Sequence, residues 1–159
     1  MLRSAAAAVL FGLLFLPQAA TAHEVKAKGL QMEHPWIRAA GKGVAVTAGY
    51  VEITNTGKTA DRLVGATLKG AAKGEIHETA IEDGVARMRP VTAGIEIGAG
   101  QTVALKPNGL HLMFTGLTTT MDEDSYVDGT LLFEKGGTVE VEFFVEAPAK
   151  PKSQHEHAH

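Results

Sequence analysis

Apolar and polar residues alternate along the middle of the chain in short runs, each closed by residues that favour turns. Gly49 to Thr54 runs into Asn55-Thr56-Gly57, and Arg62 to Leu68 into Lys69-Gly70. Glu75 to Ile81 and Val85 to Val91 flank Glu82-Asp83-Gly84, and further runs cover Thr102 to Leu105, Leu110 to Phe114, Tyr126 to Glu134 and Thr138 to Val145. Between Thr138 and Phe143 apolar residues take turns with glutamate, the two-residue period of a half-buried strand. No helical period persists beyond a turn or two. Short strands at this spacing predict an all-β domain, a sandwich or barrel with Greek-key connections. Trp36, Phe114, Phe133, Phe143 and Phe144 are expected in its core, with Met32 and Met121 in packing or loop positions.

Both ends break the pattern. Arg3, the apolar stretch Ala5 to Leu16 and the small residues Ala20-Thr21-Ala22 follow the order of a secretory signal. About a dozen apolar residues fall short of the roughly 20 that a membrane helix needs, so residues 1–22 read as a cleaved signal peptide that leaves no membrane anchor. A bacterial lipid anchor would need a cysteine at the cleavage point, and the sequence has none. From Pro148 the chain turns polar and closes on His155-Glu156-His157-Ala158-His159, so residues 148–159 read as a flexible tail. Residues 23–147 remain as one domain long enough to bury a core. The net charge of −3 becomes about −4 once Arg3 is removed. No basic stripe is visible, and nucleic acid is not an expected partner.

The missing cysteines narrow the chemistry further. Blue-copper electron transfer, thiol redox chemistry, cysteine nucleophiles and Cys-type zinc sites all lack their central residue. A soft metal in this chain would have to be held by histidine and methionine. His111-Leu112-Met113 offers one such pair, because residues i and i+2 of a strand project from the same face. His77 and Met88 offer a second. If Asp83-Gly84 is a two-residue type I′ turn, Thr79 lies opposite Met88, and His77 becomes a diagonal neighbour on the same face. A three-residue loop would put the two on opposite faces. On local spacing alone, a packed methionine and a hydrogen-bonded histidine are the more ordinary explanation of each pair. Two thioethers and two imidazoles together suit Cu(I) better than zinc. The alternating histidines of the tail also suit a metal, against a plain solvated tail. If cleavage follows Ala22, His23 becomes the amino terminus, and its amine and imidazole offer a Cu(II) chelate.

Over most of residues 23–147 the chain resembles the PCuAC family of periplasmic copper(I) chaperones. The matching segments are His34-Pro-Trp-Ile-Arg, Gly49-Tyr-Val-Glu-Ile-Thr-Asn, Asp61-Arg-Leu-Val-Gly, Ile76-His-Glu-Thr, Gly84-Val-Ala-Arg-Met-Arg-Pro-Val and Leu105-Lys-Pro-Asn-Gly-Leu-His-Leu-Met. The family's copper motif, a His, a later Met and then His-x-Met, falls on His77, Met88, His111 and Met113. Ten residues separate His77 from Met88 and twenty-two separate Met88 from His111, the second gap being slightly longer than the family's. A further Met often found just after the first His is absent, and Glu78 and Thr79 stand there. The resemblance implies a cupredoxin-like Greek-key β-sandwich in the periplasm that carries Cu(I) and is not an enzyme. It also implies a recipient, either a copper-accepting assembly factor or the cytochrome c oxidase subunit with the dinuclear copper centre. A monomeric apo form is expected. Similar proteins with histidine-rich tails are associated with an additional Cu(II) site, which would fall on His155, His157 and His159. Two other classes stay open on the residues alone: a copper enzyme built on His23, and a binding module whose His and Met are structural.

Overall fold

The alternating runs become β-strands, and three short or interrupted segments join them. The computed structural model describes residues 24–147, so the segment read as a signal peptide, His23 and the tail lie outside it. The strands are β1 (Glu24–Ala27), β2 (Leu30–Arg38), β3 (Val46–Asn55), β4 (Asp61–Leu68), β5 (Lys73–Glu82) and β6 (Val85–Pro90). They continue with β7 (Ile95–Ile97), β8 (Thr102–Leu105), β9 (Leu110–Thr115), β10 (Tyr126–Phe133) and β11 (Gly137–Glu146), and there is no helix among the described residues. The pattern does not announce β1, β2 or β7. β1 and β7 are too short to establish a period, and Pro35 interrupts β2, where proline argues against a strand.

Hydrogen bonding orders the strands β6-β5-β9-β3-β2-β11-β10-β4-β7, with β1 added to β2 and β8 to β3. β11 runs parallel to β2, and the other pairs are antiparallel. β4 and β5 stand near opposite ends of this path yet pack together, so the sheet folds back on itself into two layers, as expected of the sandwich. Leu112 and Phe114 of β9, Ile37 of β2, Ile53 of β3, Leu63 of β4, Leu131 of β10 and Phe143 of β11 are fully buried between the layers. The rings of Phe114 and Phe143 meet edge to face at 5.8 Å and tie β9 to β11. Phe133, Met32 and Met121 are buried as well.

Trp36 and Phe144 depart from the core reading. β2 bulges between Glu33 and Trp36, where one extra residue enters the strand opposite β3. His34 takes a left-handed φ of 47° there, and Pro35 turns inward. The extra residue delivers Trp36 to the outer face, opposite Tyr50. Phe144 follows core Phe143, so alternation turns it outward beside Trp36.

Gly74 marks how closely the layers approach. A Cβ at this position would collide with the carbonyl oxygen of Ala66 and meet the Phe114 ring at 3.0 Å. Gly74→Ala is therefore expected to destabilise the domain by about 1–3 kcal/mol, the usual cost of overpacking. Urea denaturation should show a lower midpoint at an unchanged slope.

Candidate metal centre

Three neighbouring strands, β6, β5 and β9, bring the four sequence-selected side chains onto one face. On β9, Leu112 and Phe114 point into the core, so His111 and Met113 point out. On β5, Ile76 points inward and Glu75, His77 and Thr79 point out. The β5–β6 hairpin closes through Asp83-Gly84 with φ of 51° and 78°, the doubly positive signature of a type I′ turn. Its register sets Glu82 opposite Val85, Thr79 opposite Met88 and His77 opposite Pro90. Met88 thus shares the outer face with His77 as a diagonal neighbour, the geometry expected of a two-residue turn.

One relation was not expected from the chain. β5 pairs with β9 so that His77 and His111 are direct cross-strand partners, with ring centroids 6.0 Å apart. Glu75 is the partner of Met113 in the same ladder. His111 is 4% exposed, and its Nδ1–H donates to the carbonyl of Gly109 at 2.9 Å. Because a carbonyl only accepts, this bond fixes the tautomer and leaves Nε2 with a free lone pair. The Gly109 carbonyl also receives the N–H of Thr79 at 3.1 Å, so the β8–β9 turn is pinned to β5. His77 differs sharply. Both of its ring nitrogens are buried, and neither has a hydrogen-bond partner. Buried polar atoms are rarely left this way, since each costs about 1–3 kcal/mol.

The surroundings explain the burial of a site on an outer face. Tyr50 lies 6.5 Å from His111 and stacks on Trp36 at 4.3 Å, and the guanidinium of Arg38 sits 5.6 Å from the centre of the Tyr50 ring. Burial pushes the Tyr50 phenol above its ordinary pKa, and Arg38 only partly offsets this. On the other flank the Lys73 ammonium, 2.9 Å from Glu75, holds that carboxyl below the usual carboxylate range, aided by the nearby His77. Glu75 Oε2 is 3.9 Å from His77 Nε2, beyond hydrogen-bond reach. Met88 is half exposed and Met113 half buried. Arg87 and Arg89 lie on the opposite face of β6 and pair with Glu82, as solvated residues should. Among the described residues no three His, Cys, Asp or Glu side chains gather into a metal cluster. Met88 and Met113 share the outer face with the histidine pair. His23, His155, His157 and His159 lie outside the described residues.

The family model described as "Putative lipoprotein LpqE-like" matches residues 30–145, nearly the whole sandwich. The chain belongs to the LpqE-like family. "Putative lipoprotein Lxx21020" of Leifsonia xyli subsp. xyli is 35% identical over 136 residues, which are 83% of this chain and 81% of that protein. Both names say lipoprotein, whereas the sequence of this LpqE-like chain contains no cysteine. Among solved structures, the copper-bound PCuAC domain from PmoF2 aligns with a TM-score of 0.68 at 25% identity, covering 79% of this chain and 99% of that one. The apo PCuAC domain from PmoF1 gives a TM-score of 0.66 at 27% identity, covering 79% and 100%. The solution structure of Cu(I)-DR1885 from Deinococcus radiodurans gives 0.59 at 27% identity, covering 82% and 85%. The LpqE-like chain therefore has the PCuAC fold, as its sequence resemblance implied.

Proposed function

We propose that this protein is an extracytoplasmic copper carrier that holds one Cu(I) through His77, Met88, His111 and Met113. The carrying observation is His77, an imidazole buried with both nitrogens unpaired beside a second imidazole whose free nitrogen is already selected. A metal ion would partner the nitrogen that carries the lone pair. Two imidazoles and two thioethers are neutral, and the thioethers are soft, a set that suits Cu(I) and avoids cysteines that would oxidise outside the cytoplasm. The copper-bound and Cu(I)-bound structures of the same fold support the choice of metal.

A carrier, rather than an enzyme, is the reading this donor set favours, since it binds the ion without adding a reactive group. The signal-like residues 1–22 and the lipoprotein names of the relatives support placement in the periplasm. The recipient we propose is a copper-accepting assembly factor, or the cytochrome c oxidase subunit with the dinuclear copper centre. Separate Cu(II) sites are proposed on His155, His157 and His159 of the tail and, where cleavage follows Ala22, on the amine and imidazole of His23. Native mass spectrometry of the processed protein should find one Cu(I), retained after deletion of residues 148–159, and Cu(II) binding that the deletion weakens. Loss of Cu(I) in the truncated protein would refute the assignment to the sandwich.

A further inference from the structure

The strand that carries Met88 is also an open edge of the sheet. Among the described residues β6 bonds to β5 alone, and all six of its residues are exposed. In a hairpin closed by a two-residue turn, the pair flanking the turn is hydrogen-bonded and the pairs alternate from there. Val85, Arg87 and Arg89 accordingly turn their backbone groups toward Glu82, Ala80 and Glu78, while Ala86 and Met88 turn theirs to the free edge. Pro90 falls on the outward parity, where its missing N–H costs the ladder nothing. The free bonding groups thus belong to Met88 itself and to the residue two before it.

The side chains give this edge two different faces. Ala86 and Met88 stand on the metal face with Ile81, which is 68% exposed. Arg87 and Arg89 stand on the other face at the rim, with Glu78 and Glu82 one strand further in. Both arginines reach the same carboxylate, Glu82, at 3.3 and 2.6 Å. A strand added beside β6 would therefore meet arginines first. A second copy of this edge would bring arginine against arginine, the like-charge arrangement that discourages self-pairing.

We propose that the β6 edge is a docking site for an extended segment of the copper acceptor in which acidic and apolar residues alternate. The segment adds as a new strand and bonds to Ala86 and Met88. Its acidic residues face Arg87 and Arg89, and its apolar residues lie beside Met88 on the metal face. Such strand addition takes affinity from main-chain bonds and specificity from alternate side chains. The proposal rests on the copper-carrier reading, because it places the acceptor next to the most exposed of the four ligands.

The test uses the full processed chain, isotopically labelled and loaded with Cu(I), and a capped peptide alternating glutamate and valine. The peptide should shift the amide resonances of Ala86 and Met88, and its lysine–valine counterpart should bind at least about tenfold more weakly. Ala86→Pro removes only an outward N–H, so it should weaken the acidic peptide about tenfold while Cu(I) affinity stays within about twofold. Arg87→Glu with Arg89→Glu should reverse the preference toward the lysine peptide. Equal binding of the two peptides, or binding indifferent to Ala86→Pro, would overturn the proposal, as would no binding at all. Peptide binding without any Cu(I) uptake by the unmodified protein would instead overturn the carrier reading.

Discussion

Replacing Met88 and Met113 together by isoleucine is expected to raise the Cu(I) dissociation constant by roughly three orders of magnitude, about 4 kcal/mol, as two soft donors are lost. The fold should tolerate the change. Met88 is 50% exposed on an edge strand and Met113 is half buried on β9, so neither is a core residue. Isoleucine keeps the apolar bulk and suits a strand, and apo stability should move by less than about 1.5 kcal/mol. The single variants should not be equal. Met113 is held within the sheet beside His111, whereas Met88 sits on the edge. Met113→Ile should therefore cost more affinity than Met88→Ile. Competition against a chromophoric Cu(I) chelator reads all three.

Changing each histidine to phenylalanine should abolish tight Cu(I) binding but move apo stability in opposite directions. His77 buries two ring nitrogens without partners. An apolar ring of similar shape removes that penalty, so His77→Phe should leave the apo protein unchanged or up to about 2 kcal/mol more stable. His111 makes a hydrogen bond to Gly109, and His111→Phe should cost about 1 kcal/mol. The loss stays small because the Gly109 carbonyl keeps the Thr79 N–H. Neither variant should gain stability from added Cu(I), whereas the unmodified protein should gain it by mass action. Urea midpoints with and without Cu(I) measure both effects. A destabilised His77→Phe would mean that His77 has a structural partner after all. A ligand kept at the expense of apo stability is the usual trade between stability and function.

Part of the candidate site was legible because its determinants are local. The two-residue period of a strand puts His111 and Met113 together, and Asp83-Gly84 specifies the turn that brings Met88 to the His77 face. The pairing of β5 with β9 is of another kind. Three strands and their turns separate the two in the chain, and no residue of either names its partner, so the direct His77–His111 contact came only with the fold. Tyr50 was partly readable, since it shares parity with exposed Glu52 and so belongs to the outer face of β3. Trp36 was not readable by parity, because the bulge at His34-Pro35 adds a residue and reverses the alternation. Tryptophan and phenylalanine in a strand read as core by hydrophobicity, yet Trp36 and Phe144 serve the outer face, where Trp36 stacks on the tyrosine that packs beside His111. The sandwich itself followed from short runs and turns, whereas the parallel β2–β11 pair and the order of the strands are properties of the whole chain.

X-ray absorption spectroscopy of the processed protein carrying one Cu(I) tests the ligand set most directly. Two nitrogen and two sulfur scatterers should surround the ion, as the His77, His111, Met88 and Met113 assignment requires, and the sulfur shell should vanish in the double isoleucine variant. A first shell of nitrogen and oxygen alone in the unmodified protein would contradict the assignment.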